Sequence, residues 1–263
     1  MTGAYNMTMT GFRHNPRTMY AAADLPFYFI GTYHGVGARF VNDAIGVFAH
    51  RTLALQYALK KRLLGGTIGV GVDVAMLNET LDGSELDLDE AGDPAFSTSS
   101  VTGTAFDLGA GIYYMHKHWY AGLSAMHLMA PTVEIGETNE LSVARTYYFT
   151  AGCNIRLRNP FLSLHPSVMA RYDGVGYRTD VTARLKYTHE NRTMYAGVGY
   201  SPDNSVAVVL GGTVQGITLG YCYQVYTNGI SLGSGTHELC VGYQMDLNIF
   251  KKGRNRHQSV RIL

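Results

Sequence analysis

Between residues 82 and 93 the chain sets out Asp82, Glu85, Asp87, Asp89, Glu90 and Asp93, hard oxygen donors at a spacing that calcium could use. Ala91 stands where a third ligand is needed, so the helix-loop calcium pattern fails and a solvated loop is the plainer reading. The same acids, together with Phe96, offer a surface for a partner, because a connection of about 25 residues is uncommon unless functional or disordered. His116 and His118 flank Lys117, but two imidazoles supply only half of a tetrahedral set and are read as polar turn residues. Cys222 and Cys240 fall on adjacent segments and face the same way, which leaves open either a bridge in an oxidising compartment or two free thiols. With Cys153 the count is odd, so the three cannot all pair internally. No serine sits in a nucleophile elbow. No catalytic, cofactor-binding or metal-binding residue is assigned, no cofactor is expected, and a net charge of +1 gives no reason to invoke nucleic acid.

The elements that must carry these groups are strands. Near the end of the chain Leu239, Val241, Tyr243, Met245, Leu247 and Ile249 alternate with the polar Glu238, Gln244, Asp246 and Asn248. Successive strand side chains point to opposite faces, so the segment has one oily and one wet face. The pattern recurs over 68–76, 147–157 and 217–225. Alternating segments of about ten residues separated by turns mark an all-β fold, a transmembrane antiparallel β-barrel. The 31 Gly and 19 Tyr suit tight strand packing and aromatic girdles. A mean hydropathy of −0.04 hides the membrane signal, because lipid-facing and lumen-facing residues cancel in any average.

Turn residues place fourteen strands, near 3–13, 18–27, 32–42, 46–60, 66–78, 104–115, 118–127, 145–158, 162–173, 177–190, 193–201, 204–212, 216–226 and 237–249. The barrel domain is thus 1–250, followed by a basic tail over 251–263 with Lys251, Lys252, Arg254, Arg256 and Arg261. Connections after even strands are short, and those after odd strands include the three long ones near 79–103, 128–144 and 227–236. Short turns on one side and long loops on the other predict periplasmic termini, with the acidic loop facing outward. The tail is then solvated in the periplasm or docks an acidic partner there.

Strand parity turns Lys60, Asp73, Asp107, Arg156, Arg171, Asp180, Arg184 and Asp246 toward the lumen, where acids and bases pair structurally or form a selectivity filter. Cys153 faces lipid. Pro166 cannot donate to a ladder, so a bulge is expected there. Trp119 and Tyr120 are expected at the membrane interface.

These segments resemble a known family through Asn42-Asp43-Ala44-Ile45-Gly46-Val47-Phe48, Gly92-Asp93-Pro94-Ala95-Phe96 and Phe106-Asp107-Leu108-Gly109-Ala110-Gly111-Ile112-Tyr113-Tyr114. The likeness continues in Tyr120-Ala121-Gly122-Leu123-Ser124, in His165-Pro166-Ser167 leading to Arg171-Tyr172, and in Ser234-Gly235-Thr236-His237-Glu238. In order and spacing the chain is similar to the PorP/SprF proteins of the type IX secretion system of Bacteroidota. Members usually begin with a signal peptide and an Asn-Pro-Ala-Tyr type motif. Neither is seen here, and the expectation is a natural start further upstream.

The resemblance implies a non-enzymatic protein of the Gram-negative outer membrane that supports export or surface anchoring of a partner such as an adhesin. It also implies contact with periplasmic and lipoprotein components of the secretion and gliding machinery. The alternative is a transport barrel, either a porin or a channel resembling fatty-acid carriers.

Overall fold

The computed structural model describes residues 1–11, 14–83, 100–136, 139–229 and 234–245. Every regular element there is a strand: β1 (Thr2–Met7), β2 (Arg17–Phe29), β3 (Thr32–Ile45), β4 (Phe48–Leu63), β5 (Gly66–Asp82), β6 (Ser100–Met115), β7 (Trp119–Met126), β8 (Thr132–Ile135) and β9 (Asn139–Ser142). The chain continues through β10 (Thr146–Cys153), β11 (Ile155–Arg156), β12 (Leu162–Tyr172), β13 (Tyr177–His189), β14 (Arg192–Ser201), β15 (Ser205–Val214), β16 (Ile217–Tyr226) and β17 (Thr236–Tyr243).

Sequence neighbours pair antiparallel round a ring. β7 pairs β10, β10 and its continuation β11 both pair β12, and β17 returns to β1 with Thr2 opposite Gly242 and Met7 opposite His237. The result is a closed barrel of fourteen staves. Closure removes every free edge, which is what lets a sheet cross hydrocarbon with its backbone groups satisfied. The wall is uneven: β5 has 17 residues, whereas β7 and β10 have 8 each.

Alternation decides which side faces out. On β5, Val70, Val72, Val74 and Met76 are exposed on the outer face, while Asp73, Ala75 and Leu77 point inward. Leu219 and Val241 likewise face out. Phe29, Tyr57, Trp119, Phe161 and Tyr187 form an outer aromatic belt toward one end, and Tyr147, Tyr172, Tyr177 and Tyr200 another toward the opposite end. Above the apolar band on β5 and β6, Asn78 bonds Thr104 and Thr80 bonds Thr102, so that hairpin rises past the oily zone.

At one end the turns are tight. Ile30–Gly31, Leu64–Gly65 and Gln215–Gly216 each place two successive residues at positive φ, the geometry that matches the twist of paired strands. The Met1 amine donates to the Tyr243 carbonyl at 2.9 Å, so the first residue and the end of β17 lie at this tight-turn end. The strand ends at Met7, Asp82, Met126 and Tyr226 all lie at the other end.

Two local expectations are corrected. Pro166 makes no bulge: it stays in register opposite Ala183, and the ladder toward β10 and β11 opens instead, at Cys153 and Asn154. Opening the partner costs less than inserting a residue, because a bulge would turn every later side chain of β12 to the wrong face. The stretch 128–144, expected as loop, contains the β8–β9 hairpin, paired from Thr132 opposite Ser142 to Ile135 opposite Asn139.

Candidate functional site in the barrel mouth and lumen

The β8–β9 hairpin folds into the barrel mouth. Val133 and Ile135 are 1% and 3% exposed and pack on Leu81, with Val47, Val101, Ala105, Leu141 and Val143 around them. Leu81, Val101 and Ala105 belong to the inward-facing set of β5 and β6, so the hairpin lies against the inner wall. Gly103 makes the approach possible, since a Cβ there would collide with the Glu134 carbonyl and the Val133 side chain. This is the main apolar cluster buried among the described residues, and it sits in the mouth.

Asp107 anchors the start of the inward turn. Only 2% exposed, its carboxylate meets His127 Nδ1 at 2.7 Å and accepts from the Met129 amide at 3.3 Å. Beside it, half-buried His50 pairs with the Glu79 carboxylate, and Asp43, opposite His50, accepts from the Thr18 hydroxyl at 2.7 Å. Lower down, Asp73 meets Arg39 at 3.6 Å and lies flat over Gly109, where a Cβ would sit 2.6 Å from its oxygen. A cavity of about 460 Å³ here is lined by Asp24, Arg39, Lys60, Asp73 and Ser124 among others.

Several large inward side chains use the same seating. Tyr113 lies on Gly122, Tyr120 on Gly152, Arg184 on Gly197 and Tyr195 on Gly220. Glycine supplies the flat ground, and the side chains fold along the wall rather than across the lumen. Tyr120 is therefore a lumen residue stacked on Tyr113 at 5.7 Å, whereas Trp119 is exposed on the outer face as the sequence predicts.

The remaining sequence-picked residues divide. Asp180 holds Arg178 through two bonds of 3.0 and 2.9 Å. Arg171 stands opposite Arg178, Arg184 opposite His165, and Arg156 is exposed on the short β11. Asp82 ends β5, its amide donating to the Val47 carbonyl at 2.9 Å. Glu85, Asp87, Asp89, Asp93, Phe96, Asp246 and the tail over 251–263 lie outside the described residues. Cys222 stands opposite Glu238 and Cys240 opposite Gly220, two places apart, and both thiols are free. Such diagonal neighbours lie too far apart for the Cβ separation of a disulfide. Among the described residues no group of His, Cys, Asp and Glu could hold a metal ion. His127, His50 and Glu79 were not legible as a set. The one available signal was the alternation of Val133 and Ile135 before Gly136, repeated at Leu141 and Val143.

A family model described as type IX secretion system membrane protein PorP/SprF matches residues 1–243. The chain belongs to that family. A comparison with curated proteins finds no match. Among solved structures, a Pseudomonas aeruginosa FadL homologue is similar at 11% identity, over 92% of this chain and 88% of that one, with a TM-score of 0.49. BamA from Haemophilus ducreyi gives 9%, 92%, 69% and 0.47, and the CymD monoaromatic hydrocarbon channel 10%, 91%, 84% and 0.47. As a PorP/SprF protein built as a closed barrel with an oily outer face, the chain is a type IX secretion component of the Gram-negative outer membrane.

Proposed function

We propose that this PorP/SprF barrel supports export or surface anchoring of a partner protein such as an adhesin, without catalysing a reaction. The tight-turn end faces the periplasm, and the long connections, the acidic 82–93 stretch among them, face outward and meet the partner. The observation that supports the reading is the β8–β9 hairpin in the mouth of a family member, whose apolar cluster gives a scaffold one fixed side of its rim. Contacts with periplasmic and lipoprotein parts of the secretion machinery complete the proposal. Deleting the gene and shaving whole cells with protease tests it. Loss of one large surface protein, restored by the wild-type barrel, is the expected result; an unchanged surface in the deletion strain overturns it.

A further inference from the structure

The lumen is electrically divided. From β7 round to β16 the barrel strands carry a single carboxylate, Asp180, and it is occupied by Arg178. The other inward acids, Asp24, Asp43, Asp73, Glu79, Asp107 and Glu238, lie on the opposite sector, from β17 through β1 to β6. On the sector whose one acid is already paired, β12 and β13 bring three inward rows together: Ser167 opposite Thr182, His165 opposite Arg184, and Ser163 opposite Lys186. Neither Arg184 nor Lys186 has an ion pair among the described residues, and Arg184 Nε is buried with no hydrogen-bond partner. The Arg184 stem is held against the wall at Gly197, where a Cβ would sit 2.7 Å from Cγ, so the guanidinium does not swing freely. Ser163 Oγ and His165 Nε2 are already 2.7 Å apart, which sets a hydroxyl and an imidazole beside the two cations.

We propose that this face, built from Arg184 and Lys186 with Ser163, His165, Ser167 and Thr182, binds an oxoanion, a phosphate or carboxylate group. Two neighbouring cations without an acid repel each other in a restricted space, and an anion between them removes that repulsion while filling the open donors. Hydroxyls above and below supply neutral donors that chloride uses less well than a multi-oxygen anion does. The acidic sector across the lumen repels the same anion and so confines it to this wall.

The test is calorimetric titration of the full chain in detergent with inorganic phosphate, and separately with acetate, at ionic strength fixed by chloride. Saturable binding of either oxoanion is expected, weakened about tenfold or more by Arg184→Gln and by Lys186→Gln, since a hydrogen bond to a charged group is lost in each. Lys60→Gln, which removes the same charge from the acidic sector, is expected to leave the affinity within about twofold, well inside one decade. Heat-modifiable migration on gels checks folding. If Arg184→Gln does not fold, Thr182→Ala and Lys186→Gln carry the comparison. Absence of saturable oxoanion binding, or an equal loss with Lys60→Gln, overturns the proposal.

Discussion

His127 Nδ1 and the Asp107 carboxylate meet at 2.7 Å where the chain leaves the barrel wall and turns into the mouth. His127 adopts a φ of +56°, a conformation that L residues other than glycine use sparingly, and the bond to Asp107 helps to hold it there. One buried carboxylate thus ties the residues just past β7 to β6, where the chain turns toward the β8–β9 hairpin.

Asp107→Ala removes the acceptor of both His127 and Met129 and is expected to destabilise the mouth by about 1–3 kcal/mol. Deuterium uptake over 132–142 in detergent should rise, with uptake across β14 to β16 unchanged. Asp107→Asn keeps one acceptor and should fall between the two. Unchanged uptake in Asp107→Ala would mean that the hairpin is held by its apolar contacts alone.

Glycine seating makes a graded prediction. A Cβ on Gly122 would lie 2.7 Å from the Tyr113 ring, and one on Gly197 2.6 Å from the Ala183 carbonyl, whereas Gly69 has nothing nearer than 3.8 Å. Gly122→Ala and Gly197→Ala should each cost about 1–3 kcal/mol through overpacking, and Gly69→Ala should stay within about 0.5 kcal/mol. Urea-induced unfolding from lipid vesicles gives the values. Equal effects at all three would refute the seating.

Facing decides tolerance to charge. Val72→Arg places a guanidinium on the outer apolar face and should cost about 2–4 kcal/mol if that face meets the bilayer midplane. Ala58→Arg, inward between Gly35 and Gly71, should be tolerated. Folding yield into vesicles separates them, and the reverse order would invert the barrel assignment.

Asp173 predicts a pH response confined to one turn. Fully exposed, its carboxylate accepts from the Gly176 amide at 2.8 Å and the Val175 amide at 3.1 Å, and these bonds hold its pKa below the ordinary value of 3.8. A depressed pKa means the turn's contribution is full above the ordinary carboxylate value and is lost as pH falls through the lowered one. Amide shifts of Val175 and Gly176 should therefore hold steady from neutral pH down past the ordinary value. Movement beginning near neutrality would contradict this.

Much of the barrel was readable because alternation is a backbone property. Leu219 against Gly220, or Val72 against Asp73, needs no tertiary information to be assigned a face. Register was not readable in the same way: Cys222 and Cys240 face one lumen, yet which residue stands opposite each depends on where neighbouring strands begin. The hairpin was missed because β8 and β9 are four residues each, too short for a period to stand out from a loop. Asp107 was readable as inward-facing, but its partner His127 lies past the end of β7, where strand parity no longer applies. Pro166 misled because a missing donor has two remedies, and sequence does not say which the neighbouring strand adopts.

The most direct measurement is the ionic current of the purified full chain in a planar bilayer, compared with a variant lacking 132–142. A scaffold whose mouth is narrowed by β8–β9 should pass little steady current, rising on removal of the hairpin. A large, steady, voltage-independent current through the intact chain, unchanged by that deletion, would contradict the account and favour an open transport barrel.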